Sequence, residues 1–389
     1  MKKVLVFAER MLPSTQTFIP LQVNELQRYG PQYVGLIPAD RNLTLPPTPV
    51  MLTHDRGQLS RVRRELYRWT GVAPSFHTHL RKKQADLIHA HFAEGGPPAL
   101  SLSQHLHLPL ILHLRGGAEL LPDHELRRRL FQLPFLVHRK RLWQRASLFL
   151  CVSNFIREKA LKAGFPREKL RVQYTGMDLK AFTVTDTSDH KDPNMILHVG
   201  RLIPYKGCDY LLRAMQRVQQ RHPAAHLVVI GDGTFRAELE SLARELGVRS
   251  QFLGEKPQKE IRQWYERARV FCGPSVTLAD GMSEAFGNVF SEAQAMGVPV
   301  VSFQHGGIPE TMQNGVTGLL AAERDVPMLA EHLLRYLQDD VFWTNSRQQG
   351  MRWVRETFDV QRQTARLEEL YDGVIAGFQP GRFQQEAPL

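Results

Sequence analysis

A chain of 389 residues is long for a single hydrophobic core and implies about two domains. Its 42% hydrophobic and 23% charged residues exclude wholesale disorder and fibrous repeats. Three cysteines, Cys151, Cys208 and Cys272, stand in no metal-ligand spacing, which fits inert thiols in a reduced compartment, and the net charge of +11 directs attention to anionic ligands or surfaces.

The opening MKKVLVFAER places two lysines before an apolar run, Val4 to Ala8, that is too short for a signal-peptide core and stops at Glu9 and Arg10. It reads as a first strand. Apolar runs then alternate with helix-like stretches through both halves, the pattern of βαβ units and a parallel sheet. Strands are expected at 3–8, 33–37, 87–90, 110–114, 148–152 and 170–173, then at 195–199, 226–230, 248–253, 270–273 and 299–303. The longest apolar runs, 108–114 and 148–152, fall short of the roughly 18 to 20 residues that span a bilayer, so a cytoplasmic protein is expected.

The charge is divided unevenly: residues 1–190 carry +13 and residues 191–389 carry −2. Much of the excess lies in Arg61, Arg63, Arg64 and Arg68, in Arg81 to Lys83, in Arg127 to Arg129 and in Arg139 to Arg141, interleaved with Tyr67, Trp69, Phe131 and Trp143. Basic and aromatic residues together suit an anionic membrane, met peripherally, or a pyrophosphate-bearing acceptor. Each cluster also reads as an ordinary solvated helix face. No nucleic-acid recognition motif accompanies the charge, so no nucleic-acid partner is expected.

Between the halves, residues 183–194 (TVTDTSDHKDPN) have the composition of an exposed linker. Domains are therefore expected at 1–185 and 191–365, with a C-terminal helix over about 366–389 packing back on the first. The expected fold class is α/β, two Rossmann-like doubly wound domains facing across a cleft. Such domains bind ligands at the carboxyl ends of their strands.

The distinctive residues of the second half stand after strands. Gly200-Arg201-Leu202-Ile203-Pro204-Tyr205-Lys206-Gly207 follows the strand at 195–199 and precedes a helical stretch. The glycines allow a tight turn, and Arg201 and Lys206 put a guanidinium fork and a mobile ammonium where a diphosphate would lie. Two solvated bases on a surface turn are the plain alternative. Further on, Glu284 precedes a short helix expected from about Val289 to Met296, with Asn288 as its cap and Gly297 as its stop, and Glu292 sits one turn inside. Glu292 alone would do no more than complement the helix dipole. That does not account for Glu284 or its glycine-bearing loop.

Taken in order, GRLIPYKG, VVIGDG, FLGEKP, EAFGNVFSE, AMGVPVVSFQHGGIPE and NGVTGLL resemble the successive signatures of glycosyltransferase family 4, enzymes of the GT-B fold. The STQTFI element at Ser14 to Ile19 narrows the likeness to bacterial enzymes of exopolysaccharide assembly. The resemblance implies a retaining hexosyltransferase that uses a nucleoside-diphosphate sugar, UDP-hexose by preference, and a glycan or lipid-pyrophosphate-linked acceptor. Arg201 and Lys206 would hold the donor diphosphate, and Glu292 the ribose hydroxyls. Glu284 with the backbone of Phe286, Gly287, Asn288 and Val289 would meet the donor sugar and phosphate, and Gly231 and Lys256, in VVIGDG and FLGEKP, would lie at the donor and its base. The family's His-Gly-x-Asp element corresponds here to His113-Leu114-Arg115-Gly116-Gly117-Ala118-Glu119. Either Arg115 replaces the histidine or His113 is displaced by two positions, and Glu119 does not align with the aspartate.

No Asp-x-Asp stands at a strand end in the second half, and two cations can do a divalent metal's work on the leaving group, so no metal and no cofactor are expected. A GT-B nucleotide-sugar epimerase would share the fold and the ligand. A binding protein for anionic lipid would explain the first half and leave the motifs of the second idle. A dinucleotide oxidoreductase is disfavoured, since GDGTFR does not supply G-x-G-x-x-G.

Overall fold

The computed structural model describes every residue except 14–15, 39–44, 46–47, 117–119, 185–190 and 380–389. The start of STQTFI, Glu119, the centre of the polar stretch and the end of the expected C-terminal helix thus lie outside the described residues.

The chain forms two compact units, Met1–Gly176 with Val360–Leu389, and Met177–Asp359. In the first, strands β1 (Lys2–Met11), β2 (Tyr29–Pro38), β3 (Val50–Met51), β4 (Leu87–His91), β5 (Leu110–Leu114), β6 (Leu148–Cys151) and β7 (Leu170–Val172) make one parallel sheet in the order β3-β2-β1-β4-β5-β6-β7. Helices cover both faces, which is why β1 carries an uninterrupted apolar run, Val4 to Ala8. Val4, Val6 and Ala8 on one face of β1 pack with Ile19 of the helix Phe18–Asn24 and with Leu367 and Tyr371 of the helix Val360–Ala376.

That last helix returns from the far end of the chain and is fastened by charge as well as packing. Glu368 accepts hydrogen bonds from the backbone N–H groups of Gln27 (2.8 Å) and Arg28 (2.7 Å), and Asp372 meets Lys2 at 2.8 Å and the Tyr29 hydroxyl at 2.6 Å.

In the second unit, β8 (Met195–Val199), β9 (His226–Ile230), β10 (Ser250–Phe252), β11 (Val270–Cys272), β12 (Val300–Phe303) and β13 (Gly318–Ala321) form a parallel sheet in the order β10-β9-β8-β11-β12-β13. The strand order reverses between β8 and β11, the switch point at which doubly wound sheets bind ligands. The helices Cys208–Arg221 and Val326–Gln338 supply much of this unit's core. All three cysteines are buried free thiols.

Each strand expected from the sequence is present, with limits that differ by a few residues. β2 begins at Tyr29 rather than near 33, and β3 and β13 were not expected, the first being two residues long and the second a four-residue run, GLLA, too short to show a period. The C-terminal helix, expected over about 366–389, is Val360–Ala376, and residues 377–379 are not helical.

The division between units falls at Gly176/Met177 and Asp359/Val360, not within 185–191 and at 365. Two connections run side by side there. The Met177 N–H donates to the Phe358 carbonyl at 2.8 Å, and a Cβ on Gly176 would stand 2.5 Å from the Val360 Cα. Arg262 donates to the Ala181 carbonyl at 2.5 Å, which ties the chain just before the polar stretch to the second unit. The described part of that stretch is a loop of the second unit.

Candidate functional site

In the second unit, the carboxyl ends of the strands open into loops that lock onto one another. Gly207 ends the loop after β8 with φ +67°, and a Cβ there would lie 1.9 Å from the Pro274 carbonyl oxygen in the loop after β11. Gly306 and Gly307, just after β12, lie so close to the backbone of Glu284 and Ala285 that a Cβ on either would come within 2.2 Å or 2.0 Å of their carbonyl oxygens. Only glycine permits such approaches. At the next strands, the Gly231 N–H donates to the Gly254 carbonyl at 2.9 Å, which joins the ends of β9 and β10.

This stacking brings Lys206 and Glu284 together from different loops. The Lys206 ammonium forms an ion pair with Glu284 Oε2, with side chains 17% and 12% exposed, and lies 5.3 Å from the centre of the Tyr205 ring. Burial alone would pull the Lys206 pKa down, but the Glu284 charge outweighs it and the value is raised. Burial would likewise push Glu284 up, and the charge and hydrogen bond of Lys206, helped by His305 and Arg201, bring it below the usual carboxylate value. Arg201 is exposed, donates to the Tyr205 hydroxyl at 3.1 Å and acts on both members of the pair. Arg201, Lys206 and Glu284 therefore form one electrostatic group at the switch point.

A residue to which the sequence reading gave no role props this group. The Glu284 backbone N–H donates to His305 Nε2 at 3.1 Å, so the ring proton sits on Nδ1, which faces Glu323 Oε2 at 3.2 Å and the Thr277 hydroxyl at 3.3 Å. The ring is 1% exposed. Its signal in the sequence was its place between β12 and the Gly306–Gly307 pair.

The helix ahead of which Glu284 stands is Asn288–Ala295, a residue earlier than expected. Gly287, at φ +90°, takes the cap position and Asn288 is the first helical residue, so Asn288 is not the cap, and no side chain hydrogen-bonds the cap position. A left-handed turn is needed to bring the loop into the helix, and glycine adopts it without strain. Glu292 accepts a hydrogen bond from the Tyr265 hydroxyl at 3.4 Å, and burial, which that bond offsets only in part, raises its pKa to about 7. The Phe286 ring is buried 5.3 Å from the Phe358 ring. Val289 presents its carbonyl to Tyr265 at 3.3 Å. Lys256 pairs with Glu260 at 3.3 Å, one helical turn on, and not with the Lys206–Glu284 group.

His113 and Arg115 belong to the first unit, at the end of β5. His113 is wholly buried and forms a cluster with His89 and His91 of β4. The Tyr371 hydroxyl lies 2.6 Å from His89 Nδ1, and His89 Nε2 lies 3.2 Å from His113 Nδ1. Burial, followed by the nearby Arg115 charge, holds His89 and His113 well below the ordinary imidazole value; for His91 the order is burial, then His89, then Arg115. The Arg115 guanidinium reaches the Thr175 hydroxyl at 3.2 Å, and Gln22 Oε1 and His91 Nδ1 at 3.5 Å each. Ring nitrogens of the three histidines come within 4.8 Å of one another, close enough for a metal ion. A cation taken up there would sit beside a guanidinium, and both nitrogens of His89 are already engaged, so the group fits a neutral hydrogen-bonded core better than a ligand set. Among the described residues no helix is long and apolar enough to cross a membrane.

Two family models tile the chain. The model described as Glycosyltransferase Family 4 matches residues 23–181, and that described as Glycosyl transferases group 1 matches residues 184–353. Among curated proteins, the chain is 34% identical over 202 residues to the amylovoran biosynthesis glycosyltransferase AmsK of Erwinia amylovora, covering 51% of this chain and 50% of that one. It is 32% identical over 203 residues to the putative colanic acid biosynthesis glycosyltransferase WcaL of Escherichia coli K12, covering 52% and 50%. The chain thus spans about half the length of these relatives in the matched stretch. A solved structure of Anabaena HepE in complex with UDP and glucose superposes with a TM-score of 0.73 at 20% identity, over 96% of this chain and all of that one. At that identity the likeness speaks for the fold, which is GT-B.

Proposed function

Because this chain belongs to glycosyltransferase family 4, we propose that it moves a hexosyl group from a nucleoside-diphosphate sugar, UDP-hexose by preference, to a glycan or lipid-pyrophosphate-linked glycan in polysaccharide assembly. The observation that carries this reading is the Lys206–Glu284 pair with Arg201 beside it, built from two loops at the switch point of the second sheet.

In this reading the donor diphosphate lies over the Asn288–Ala295 helix, with Arg201 and Lys206 on its oxygens and Glu292 on the ribose. Lys206 exchanges its carboxylate partner for phosphate, and Glu284, kept ionised and propped by His305, turns to the sugar hydroxyls beside an oxocarbenium-like centre. The bond from the anomeric carbon to the diphosphate oxygen breaks as the acceptor oxygen attacks from the same face. The acceptor's proton passes to the departing oxygen, and configuration is retained. The two cations offset the charge that develops on the leaving group, so no metal is required. Holding donor and acceptor in register contributes about 7 to 11 kcal/mol of barrier lowering. The basic first unit faces an anionic membrane that carries the acceptor.

A thermal-shift panel of UDP, GDP, UDP-hexoses and GDP-mannose, run with EDTA, tests the donor site. A nucleoside diphosphate should stabilise the protein, and Glu284→Ala should abolish transfer far more than it weakens that binding. Stabilisation by none of these ligands would overturn the reading, and a sugar altered with no acceptor present would replace it with epimerisation.

A further inference from the structure

We propose that the first unit docks on anionic lipid through an everted helix, Gln58–Thr70, whose apolar stripe enters the bilayer surface beside the Leu130–Gln132 turn. This deepens the membrane part of the function proposed above and rests on that part alone.

A surface helix ordinarily turns its apolar side inward. Here the arrangement is reversed. Leu59, Val62, Leu66 and Trp69, at helical spacing, are 88%, 65%, 56% and 41% exposed, while Arg64, Tyr67 and Arg68 are buried on the inner side. Specific bonds hold that orientation. Arg64 donates to the Thr53 hydroxyl at 3.1 Å and the Asp55 carbonyl at 3.0 Å, Arg68 lies 3.3 Å from Glu9, and the Tyr67 hydroxyl meets His77 at 3.1 Å. Rotating the helix to hide its leucines would break all of them, so the stripe is fixed facing outward.

The stripe continues past the helix. Arg68 also donates to the Phe131 carbonyl at 2.6 Å, which fastens the Leu130–Gln132 turn alongside, and Leu130 and Phe131 are 80% and 49% exposed. On the far side the Trp69 ring lies 6.4 Å from that of His138, in the helix Leu133–Arg145. Eight of the twelve exposed large hydrophobic residues among those described fall between Leu59 and Val137. An apolar concentration of this kind marks an interaction surface.

Charge selects the occupant. Exposed Arg61 and Arg63 flank the stripe on its own helix, and exposed Arg127 stands three residues before the turn. The neighbouring acids are already engaged: Glu65 by Arg68, Asp123 by Arg139 and Glu125 by Arg128. Aliphatic side chains with an indole at their margin and arginines on the flanks match the acyl boundary and the anionic headgroups of a leaflet.

Flotation with phosphatidylcholine vesicles, with and without phosphatidylglycerol, tests this at low and high salt. The wild-type protein should bind only the anionic vesicles, less at high salt because the charges are screened. Leu59→Gln with Leu66→Gln should lower partitioning at least about tenfold, since each leucine gives up burial in the lipid. Arg61→Glu with Arg63→Glu should do so most strongly at low salt. All four positions are exposed, so thermal stability and UDP affinity should stay at wild-type values in both variants, which separates this proposal from the donor-site reading. Absence of wild-type binding at low salt, or wild-type partitioning by either variant, overturns it. So would self-association in solution that the double glutamine variant abolishes, because a second copy would then cover the stripe.

Discussion

Lys206 and Glu284 act as a pair, so removing one should change what the other does to a bound diphosphate. Lys206→Ala deletes a charge-assisted contact worth about 1.5 to 3 kcal/mol and leaves a carboxylate facing the phosphates. The dissociation constant of the nucleoside diphosphate should rise about 10- to 150-fold. Glu284→Gln releases Lys206 from its partner, so binding should stay within about threefold of wild type while transfer falls about a hundredfold or more. The double variant should regain part of what Lys206→Ala loses. With side chains 17% and 12% exposed, the pair lies between surface and buried ion pairs, and the coupling should be about 1 to 3 kcal/mol. Lys206 holds the Glu284 pKa down, so the pair is intact above the ordinary carboxylate value and is lost as pH falls through the lowered one. Without Lys206 burial raises that value, and the gap between single and double variants should close on acidification. Titration calorimetry with UDP and GDP across pH reads every corner of the cycle. Additivity within about 0.5 kcal/mol, or unchanged affinity in Lys206→Ala, would refute the reasoning.

Glu292 carries a pKa of about 7, against 4.5 for a free carboxyl, so the fold is favoured by this group below about 4.5 and loses that stability as pH rises to 7. At 1.36 kcal/mol for each decade, Glu292→Gln should stabilise the free protein by up to about 3 kcal/mol at pH 8 and hardly at pH 4.5, while weakening nucleoside diphosphate more than pyrophosphate. Equal melting temperatures at pH 8 would disprove this. Gly207 and Gly247 share φ +67°, but a Cβ on Gly247 meets nothing within 4 Å. Gly247→Ala should cost about 1 kcal/mol and Gly207→Ala several, with loss of UDP binding; equal costs in chemical denaturation would count against the locked-loop account.

The strands and the motif loops of the second unit were legible because their signals are local. Apolar runs of strand length, a glycine at each loop end and paired cations after β8 all fall within a window of a few residues. Short edge strands such as Val50–Met51 carry too few residues to show a period. The cap of the Asn288–Ala295 helix was misread because Gly287 reached the needed φ without a side chain, where asparagine is the commoner solution.

What only the tertiary structure decided are the partnerships across long stretches of chain. Tyr371 reaches His89 because the last helix returns to the first sheet, His305 lies beneath Glu284 because β12 adjoins β11, and Lys206 meets Glu284 across two loops. For the helix Gln58–Thr70 the sequence showed a basic and aromatic cluster that also read as a solvated face, and not the direction its apolar residues take. Buried bonds from Arg64 and Arg68 to residues outside the helix set that direction, and a helical period carries no record of such partners. Sequence determines which faces and turns can form; the order of strands in the sheet determines which of them meet.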